Sequence, residues 1–212
     1  AMHARVEENS DSRWHDRYPE LGTGPLPIEP YVSAEAFAQE RDKIFRKVWL
    51  NIGRVEQVPD AGDFFVKDLE ICQTSILIVR GEDGVVNAFH NMCSHRGNRL
   101  AWSGKGACKG FSCKYHSWTY GLDGSLLHIS DEKRFFDLDK KKLGLTPVAV
   151  DVWEGFIFIN VDPNPAQPLK EYLGAVGESF DGYPFAELAT ACFSWQVEVN
   201  ANWKVGKDAF PE

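Results

Sequence analysis

The sequence predicts an α+β fold that consists mainly of antiparallel strands, and three observations lead to this prediction. Short β-branched or aromatic runs follow one another from about residue 46 to 162. Turn signals built from Gly and Asp separate several of these runs. Helical periodicity is strongest in the segment that precedes the runs, where apolar residues share one face.

The composition is that of a folded protein for which we expect neither nucleic-acid nor membrane binding. Of the 212 residues, 43% are hydrophobic, which suffices for an ordinary core. The net charge is −8 and the basic residues are scattered, whereas a nucleic-acid surface concentrates positive charge. The sequence lacks the run of about 18 apolar residues that a membrane helix needs. Because the N-terminal segment has no hydrophobic signal core, we expect a cytoplasmic protein.

Residues 1–45 are predicted to form an N-terminal arm followed by a docking helix. The arm is polar and contains several Gly and Pro residues up to Pro30. Ser33 is placed to cap the helix, with Glu35 in the first turn. Gly53 is expected to end this helix or to begin the next strand. The predicted apolar face of the helix comprises Phe37, Ile44, Phe45, Val48 and Trp49.

Residues 46–162 are predicted to form a small antiparallel barrel or sandwich. Its strands are expected on both sides of three turns, at Gly81–Gly84, Leu122–Gly124 and Glu154–Gly155. The first turn joins CQTSILIVR to VVNAFHN, and the third joins TPVAVDVW to GFIFINVD. A Pro-rich boundary at 162–168 follows this predicted domain.

Residues 163–212 are predicted to begin a second domain, so that the sequence would be the N-terminal half of a longer subunit. EYLGAVGESF predicts a short helix, and the final NWKVGKDAFPE is typical of the opening of another. Between them, CFSWQVEVNANW alternates as a strand of a second sheet does. The expected apolar face of this strand comprises Phe193, Trp195, Val197, Val199 and Ala201.

Two Cys/His pairs in Gly- and Ser-rich loops are the candidate functional residues. Cys93, His95, Cys113 and His116 form the pattern C-x-H-x17-C-x2-H. An odd number of cysteines does not make a disulfide framework, and clustered Cys and His in a reducing compartment indicate a metal. Cys72, Cys108 and Cys192 lack such a partner and are expected to be small buried hydrophobic residues. His90 and His128 fit neither ligand spacing, and His90, in an alternating strand, is expected to be structural.

Zinc and an iron–sulfur cluster are both compatible with two Cys and two His. The usual zinc spacing groups Cys with Cys and His with His, whereas here each loop supplies one of each. In a [2Fe–2S] cluster with mixed ligands, one iron takes both thiolates and the other takes both imidazoles, so each loop can reach both irons. The cluster is therefore the preferred interpretation, and zinc stays the alternative.

The stretch resembles the Rieske domain of the aromatic-ring-hydroxylating, non-haem iron oxygenases, in their α (oxygenase) subunit. The segments that carry the resemblance are CSHRG at 93–97, CKYHSW at 113–118 and DGSL at 123–126. The resemblance implies a Rieske-type [2Fe–2S] cluster in which Cys93 and Cys113 bind one iron. His95 and His116 would then bind the other iron.

The sequence departs from the family in ways that leave the ligand positions intact. The family often has Pro and Gly where this chain has Lys114 and Ser117, and neither is a ligand. Rieske proteins of respiratory complexes carry a disulfide whose two positions are Asn98 and Tyr115 in this chain, so it differs from that branch. Two tryptophans are candidates for covering the cluster, Trp118 and Trp102.

The C-terminal segment resembles the first helix of the family's α/β helix-grip catalytic domain, beginning with Asn202-Trp203-Lys204. The resemblance implies a mononuclear Fe(II) held by two His and a carboxylate that follow this segment. Glu212 matches an acidic residue that links this iron site to a Rieske His of a neighbouring subunit, and His116 would be its partner. Pro211 departs from the pattern because proline kinks a helix.

The resemblance implies the oxygenase component of a Rieske oxygenase that activates O2. Its reaction would be hydroxylation, dihydroxylation or demethylation of an aromatic or related small organic substrate. Electrons would come from a separate NAD(P)H-dependent reductase, directly or through a ferredoxin, and the oligomer would be a homotrimer with or without a β subunit. The alternative is a stand-alone Rieske ferredoxin that only carries electrons.

Overall fold

The structure is a computed structural model that describes residues 14–188 and 197–208. The described residues divide into two compact units, one that lies within 38–199 and one that lies within 1–37 together with 200–212. All the strands of the described residues belong to the first of these units.

Three antiparallel sheets confirm the predicted α+β fold with mainly antiparallel strands. Sheet one has the order β1-β10-β9, sheet two the order β4-β3-β2-β5, and sheet three the order β6-β7-β8. The strands of these sheets are β1 Leu50–Arg54, β2 Asp63–Leu69, β3 Thr74–Arg80, β4 Val86–His90, β5 Lys105–Ala107, β6 Phe111–Ser112, β7 Thr119–Tyr120, β8 Leu126–His128, β9 Ala149–Trp153 and β10 Phe156–Asn160.

All three predicted turns join neighbouring antiparallel strands. Gly81–Gly84 lies between β3 and β4, Leu122–Gly124 lies within the connection from β7 to β8, and Glu154–Gly155 joins β9 to β10. Gly84, Gly124 and Gly155 have positive φ angles, which glycine adopts without steric cost. At Gly124 a Cβ would also collide with the ring of Phe89, so the turn is packed closely against the core.

Sheet two separates two hydrophobic cores because side chains alternate along its strands. On β3, Leu77 and Val79 point into the first core, whereas Ile76 and Ile78 point into the second. The first core comprises Phe64, Leu77, Val79, Phe89, Cys93, Leu100, Ala101, Phe111, Cys113, Trp118, Tyr120, Leu122, Leu126, Ile129 and Leu145. The second comprises Ile52, Val58, Phe65, Ile76, Ile78, Val86, Ala88, Val148, Ile157 and Ile159.

The helix predicted after Ser33 is present but shorter than expected. Ser33 Oγ accepts a hydrogen bond from the backbone N–H of Ala36 at 3.1 Å, as an N-cap does. Helices α1 Trp14–Arg17 and α2 Glu29–Val32 precede it, and α3 Ala34–Glu40 continues into a π-helical turn, Arg41–Phe45.

The prediction that the helix extends through Val48 and Trp49 is wrong, whereas the strand alternative given for Gly53 agrees with its place in β1. The segment Leu50–Arg54 is β1, and Gly53 lies at an irregularity in its pairing with β10. Trp49 is buried although it lies outside the helix, and its Nε1 donates a hydrogen bond to the carbonyl oxygen of Gln167 at 3.1 Å. Pairing with β10 therefore replaces the continuation of the helix.

The C-terminal predictions have mixed outcomes. The predicted short helix is α4 Leu169–Ser179, which is interrupted by non-helical angles at Gly174, and the final helix is α5 Trp203–Asp208. The predicted strand is wrong over residues 197–202, which are irregular, while residues 192–196 lie outside the described residues. Val197 and Val199 are exposed, so the alternation does not bury a face there. Within residues 14–188 and 197–208, every helix is too short or too polar to cross a bilayer.

Two adjacent leucines in β8 test the position of the first core. Leu126 is 6% exposed, whereas Leu127 is 56% exposed. Leu126→Ala is expected to lower the free energy of unfolding by about 2–5 kcal/mol, because it removes buried apolar volume. Leu127→Ala is expected to change it by less than about 0.5 kcal/mol. Urea unfolding followed by circular dichroism measures both values, and equal losses for the two variants would contradict this packing.

Candidate iron–sulfur site

The two loops that carry the Cys/His pairs share one backbone hydrogen-bond pattern. In the first loop, Cys93 N–H donates to the carbonyl oxygen of Asn98 at 2.8 Å, and Gly97 N–H donates to the carbonyl oxygen of Cys93 at 2.9 Å. In the second, Cys113 N–H donates to the carbonyl oxygen of Trp118 at 2.8 Å, and Ser117 N–H donates to the carbonyl oxygen of Cys113 at 2.8 Å. Each turn is thus closed by the residues four and five positions after its cysteine.

The residue four positions after each cysteine has a left-handed backbone. Gly97 has φ 71°, and Ser117 has φ 57°. Glycine adopts this conformation freely, whereas the serine does so at a steric cost. Ser117 is also one of the two departures from the family pattern, and the structure places it in the same turn as Gly97.

The structure brings the four predicted ligand residues together in a definite arrangement. Cys93 and Cys113 are each 2% exposed and belong to the first core. His95 and His116 are half-buried, and their ring centroids lie 4.8 Å apart. The thiols therefore lie inside and the imidazoles nearer the surface.

This arrangement fits a cluster with two metals better than a single ion. A [2Fe–2S] cluster with separate thiolate and imidazole irons needs donors that are grouped in two pairs. A thiol pair and an imidazole pair, each built from both loops, satisfy that requirement.

The electrostatic surroundings of the two thiols differ. Burial raises the pKa of the Cys93 thiol. Burial also acts to raise the pKa of Cys113. Hydrogen bonds from the backbone of Tyr115 and His116, followed by those from the side chains of Cys93 and Asn98, outweigh burial, so this pKa is lowered. Because a thiolate is the metal-binding form, the hydrogen bonds that lower the pKa of Cys113 favour the form in which it could bind a metal.

The pKa of His95 is lowered by burial, with smaller contributions from His116 and Arg96. A lowered pKa favours the neutral imidazole, which is the form that binds a metal. Burial of the ring therefore favours the form in which His95 could bind a metal.

Tyr120 and Asn98 contact the two thiols, and the sequence did not indicate either role. Tyr120 Oη lies 3.1 Å from Cys93 Sγ and accepts a hydrogen bond from Ser94 N–H at 3.1 Å. Asn98 Nδ2 lies 3.6 Å from Cys113 Sγ. The sequence offered only their positions as a signal of these contacts. Tyr120 is two residues after Trp118, and Asn98 lies within the first loop.

Aromatic side chains cover the two imidazoles. Trp118 is 3% exposed and stacks on His95, with ring centroids 4.7 Å apart and planes inclined by 10°. Tyr115 stacks on His116 with a centroid distance of 3.8 Å. Trp118 therefore covers the ring of His95, whereas Trp102 is 57% exposed.

The cysteines and histidines outside the pattern lie elsewhere. Cys72 is buried in the structure and its Sγ contacts the carbonyl oxygen of Phe45. His90 Nδ1 and Thr74 Oγ1 are hydrogen-bonded at 2.9 Å, which gives that ring a structural role. Cys108 is half-buried and His128 is exposed, while Cys192 and the predicted catalytic residue Glu212 lie outside the described residues.

The loop geometry and the spacing agree with a comparison to known domains. Residues 48–150 match the family described as the Rieske [2Fe–2S] domain. The chain belongs to the Rieske family. A [2Fe–2S] cluster is thus the cofactor of this Rieske domain, and the paired thiols and imidazoles are suited to it.

The similarity extends beyond the Rieske domain to oxygenase subunits. The chain is 37% identical over 180 residues to a Pseudomonas aeruginosa protein named glycine betaine monooxygenase oxygenase subunit, covering 85% of this chain and 41% of that protein. The chain spans less than half the length of the curated relatives it matches.

Two solved structures share the fold. One is of a quaternary ammonium Rieske monooxygenase, reported in connection with carnitine oxidation and inter-subunit electron transfer. It is 33% identical with a TM-score of 0.68, over 73% of this chain and 42% of that one. Naphthalene 1,2-dioxygenase from Rhodococcus sp. bound to indole is 28% identical with a TM-score of 0.70, over 79% of this chain and 37% of that one.

Removal of the Tyr120 hydroxyl tests its contact with the Rieske site. Because Ser94 N–H donates to Tyr120 Oη, the hydroxyl proton is free to point at Cys93 Sγ. Tyr120→Phe is expected to lower the midpoint potential by about 59 mV, a tenfold change in the one-electron equilibrium, because the reduced cluster loses a hydrogen bond. A redox titration monitored by electron paramagnetic resonance (EPR) measures the shift. A potential equal to that of the wild type would show that the hydroxyl does not act on the sulfur.

Proposed function

We propose that this chain is part of the oxygenase component of a Rieske non-haem iron oxygenase, in which its Rieske domain receives and passes single electrons. The observation that carries this proposal is the pairing of two buried thiols and two outer imidazoles from equivalent loops. A bound [2Fe–2S] cluster supplies reversible one-electron chemistry at a potential above that of all-thiolate clusters.

In this proposal Cys93 and Cys113 bind one iron, and His95 and His116 bind the other. The burial of the thiols supports the first assignment, and the proximity of the two imidazole rings supports the second. Because the imidazoles lie nearer the surface, electrons would enter and leave on the histidine side. The buried Trp118, stacked on His95, would keep water away from that ring.

The proposed domain organisation places an N-terminal arm and docking helix at 1–45, the Rieske domain at 46–162 and the start of a helix-grip catalytic domain at 163–212. Support comes from oxygenase subunits whose similarity to this chain covers 85% of it, more than the Rieske domain alone. A stand-alone Rieske ferredoxin does not account for that wider similarity. The catalytic domain would hold a mononuclear Fe(II) bound by two His and a carboxylate.

We propose Glu212 as a residue of the electron path, linking His116 of a neighbouring subunit to the mononuclear iron site. A carboxylate between two imidazoles can orient both by accepting their N–H hydrogen bonds. Inter-subunit electron transfer is reported for the related quaternary ammonium monooxygenase, which supports a path between subunits. Such a path requires an oligomer, and the proposed one is a homotrimer, with or without a β subunit.

The proposed electron source is a separate NAD(P)H-dependent reductase, acting directly or through a ferredoxin, and the proposed compartment is the cytoplasm. The proposed substrate is a small quaternary ammonium compound rather than the aromatic hydrocarbon suggested by the first resemblance. Support comes from the glycine betaine and quaternary ammonium monooxygenases among the relatives. The naphthalene dioxygenase match makes an aromatic hydrocarbon the appropriate comparison substrate.

Substitution of one imidazole tests the ligand assignment. The purified protein is expected to contain iron and to show a Rieske-type EPR signal when reduced. His116→Cys replaces a neutral ligand with a thiolate and is expected to move the potential from the range of about −150 to +300 mV towards about −400 mV. The matched control His128→Cys changes an exposed histidine outside the site and should leave the potential unchanged.

Two results would contradict the cluster assignment. Metal analysis that finds zinc without iron would favour the mononuclear alternative. An unchanged potential and EPR spectrum in His116→Cys would mean that His116 is not a ligand.

Turnover by the full-length protein with its reductase tests the oxygenase proposal. Addition of glycine betaine or carnitine is expected to stimulate O2 uptake and NAD(P)H consumption, with formation of an oxidised product, whereas naphthalene is not. Stimulation by naphthalene alone would contradict the proposed substrate class. If the gene encoded no His pair and carboxylate after Glu212, the electron-carrier alternative would replace the oxygenase.

A further inference from the structure

The side chain of Asn98 connects the two loops of the Rieske site. Asn98 belongs to the first loop, five residues after Cys93, and its Nδ2 lies 3.6 Å from Sγ of Cys113 in the second loop. The residue is half-buried. Its side chain therefore reaches across the site to the sulfur of the other cysteine.

A second contact fixes the orientation of the Asn98 amide. Nδ2 also donates to the carbonyl oxygen of Arg99 at 2.9 Å. A carbonyl oxygen accepts hydrogen bonds but cannot donate them, so the NH2 end of the amide must face Arg99 and Cys113. The NH2 group has two N–H bonds, one for the carbonyl oxygen and one for the sulfur.

The backbone of Asn98 has a different task from that of its side chain. Its carbonyl oxygen accepts the hydrogen bond from Cys93 N–H that closes the first loop. This bond does not depend on which side chain the residue carries. Substitution of Asn98 can therefore remove the contact to Cys113 Sγ and keep the turn that presents Cys93.

We propose that Asn98 is a positioning residue that sets the reduction potential of the cluster, by donating an N–H···S hydrogen bond to the Cys113 ligand. The inference rests on the proposed function, since it takes Cys113 as an iron ligand. Reduction adds one electron to the cluster, and part of the added negative charge lies on the sulfur ligands. A hydrogen bond to the sulfur is then stronger in the reduced state than in the oxidised state, which raises the potential.

The two sulfurs would then have matched side-chain donors. Tyr120 contacts Cys93 Sγ, and Asn98 contacts Cys113 Sγ. Backbone hydrogen bonds also reach the Cys113 sulfur, from Tyr115 and His116. Asn98 therefore acts in addition to the backbone. Its removal takes away one hydrogen bond to the sulfur and leaves the backbone hydrogen bonds in place.

Two substitutions in the full-length protein test the proposal. Asn98→Ala removes the donor, and it is expected to lower the equilibrium constant for one-electron reduction about tenfold, which corresponds to about 59 mV. Asn98→Asp keeps the shape of the side chain but replaces the NH2 group with a carboxylate oxygen. At pH 8 this carboxylate is ionised, so the expected downward shift is at least as large.

EPR-monitored redox titration of the wild type and variants measures the potentials, and iron analysis measures cluster content. Asn87→Ala is the matched control, because Asn87 Nδ2 donates to the carbonyl oxygen of Leu122 rather than to a sulfur. The control is expected to keep the wild-type potential. A potential that falls in both Asn98 variants at full iron content supports the proposal.

The other outcomes separate the two levels of the inference. A wild-type Rieske signal with unchanged potentials in both Asn98 variants would overturn the role of Asn98 alone. Loss of iron from both variants would assign Asn98 a purely structural role and would overturn the proposed tuning. A wild type without a Rieske-type signal would overturn the cluster assignment and, with it, this inference.

Discussion

The site depends on one pattern of backbone hydrogen bonds that occurs twice. In each loop the cysteine N–H is bound by the carbonyl five residues later, and the cysteine carbonyl is bound by the N–H four residues later. These bonds satisfy the backbone of a tight turn whose cysteine side chain lies in the core. The histidine of each loop, two residues after Cys93 and three after Cys113, is then left on the outer side. Without this pattern the buried thiols and the outer imidazoles would not form separate pairs.

The rest of the fold supplies the surroundings that the two loops require. Sheet two has an apolar face towards the loops, formed in part by Leu77 and Val79 of β3, and the second core holds its opposite face in place. Sheet three contributes Tyr120 at the end of β7, where the hydroxyl meets the sulfur of Cys93. Apolar packing lowers the local dielectric constant, so the few hydrogen bonds that reach the sulfurs have a larger effect than they would in water.

Sequence reasoning was effective where the signal is local. The structure contains the two Cys/His loops, the three hairpin turns and the cap at Ser33. Each of these features depends on residues that are close together in the chain. The extent of the docking helix was wrong because pairing of β1 with β10, about 100 residues away in sequence, decides where the helix ends. The alternation at 197–202 has no matching sheet in the described residues. The contacts of Tyr120 with Cys93 Sγ and of Asn98 with Cys113 Sγ could not be predicted from the sequence. The partners are 27 and 15 positions apart in the chain, and only the tertiary structure brings them together.

The left-handed residue in each turn also bears on how such sites are found in sequences. Gly97 and Ser117 occupy equivalent positions, with φ angles of 71° and 57°, although only one of them is glycine. The closing hydrogen bonds have nearly the same lengths in both loops, so the two turns have the same form. The left-handed backbone of the serine has a free-energy cost that glycine avoids, but it does not change the turn. A search pattern that required glycine four residues after each cysteine would find the first loop and overlook the second. The constraint in this site is on the shape of the backbone, and residue identity follows it only in part.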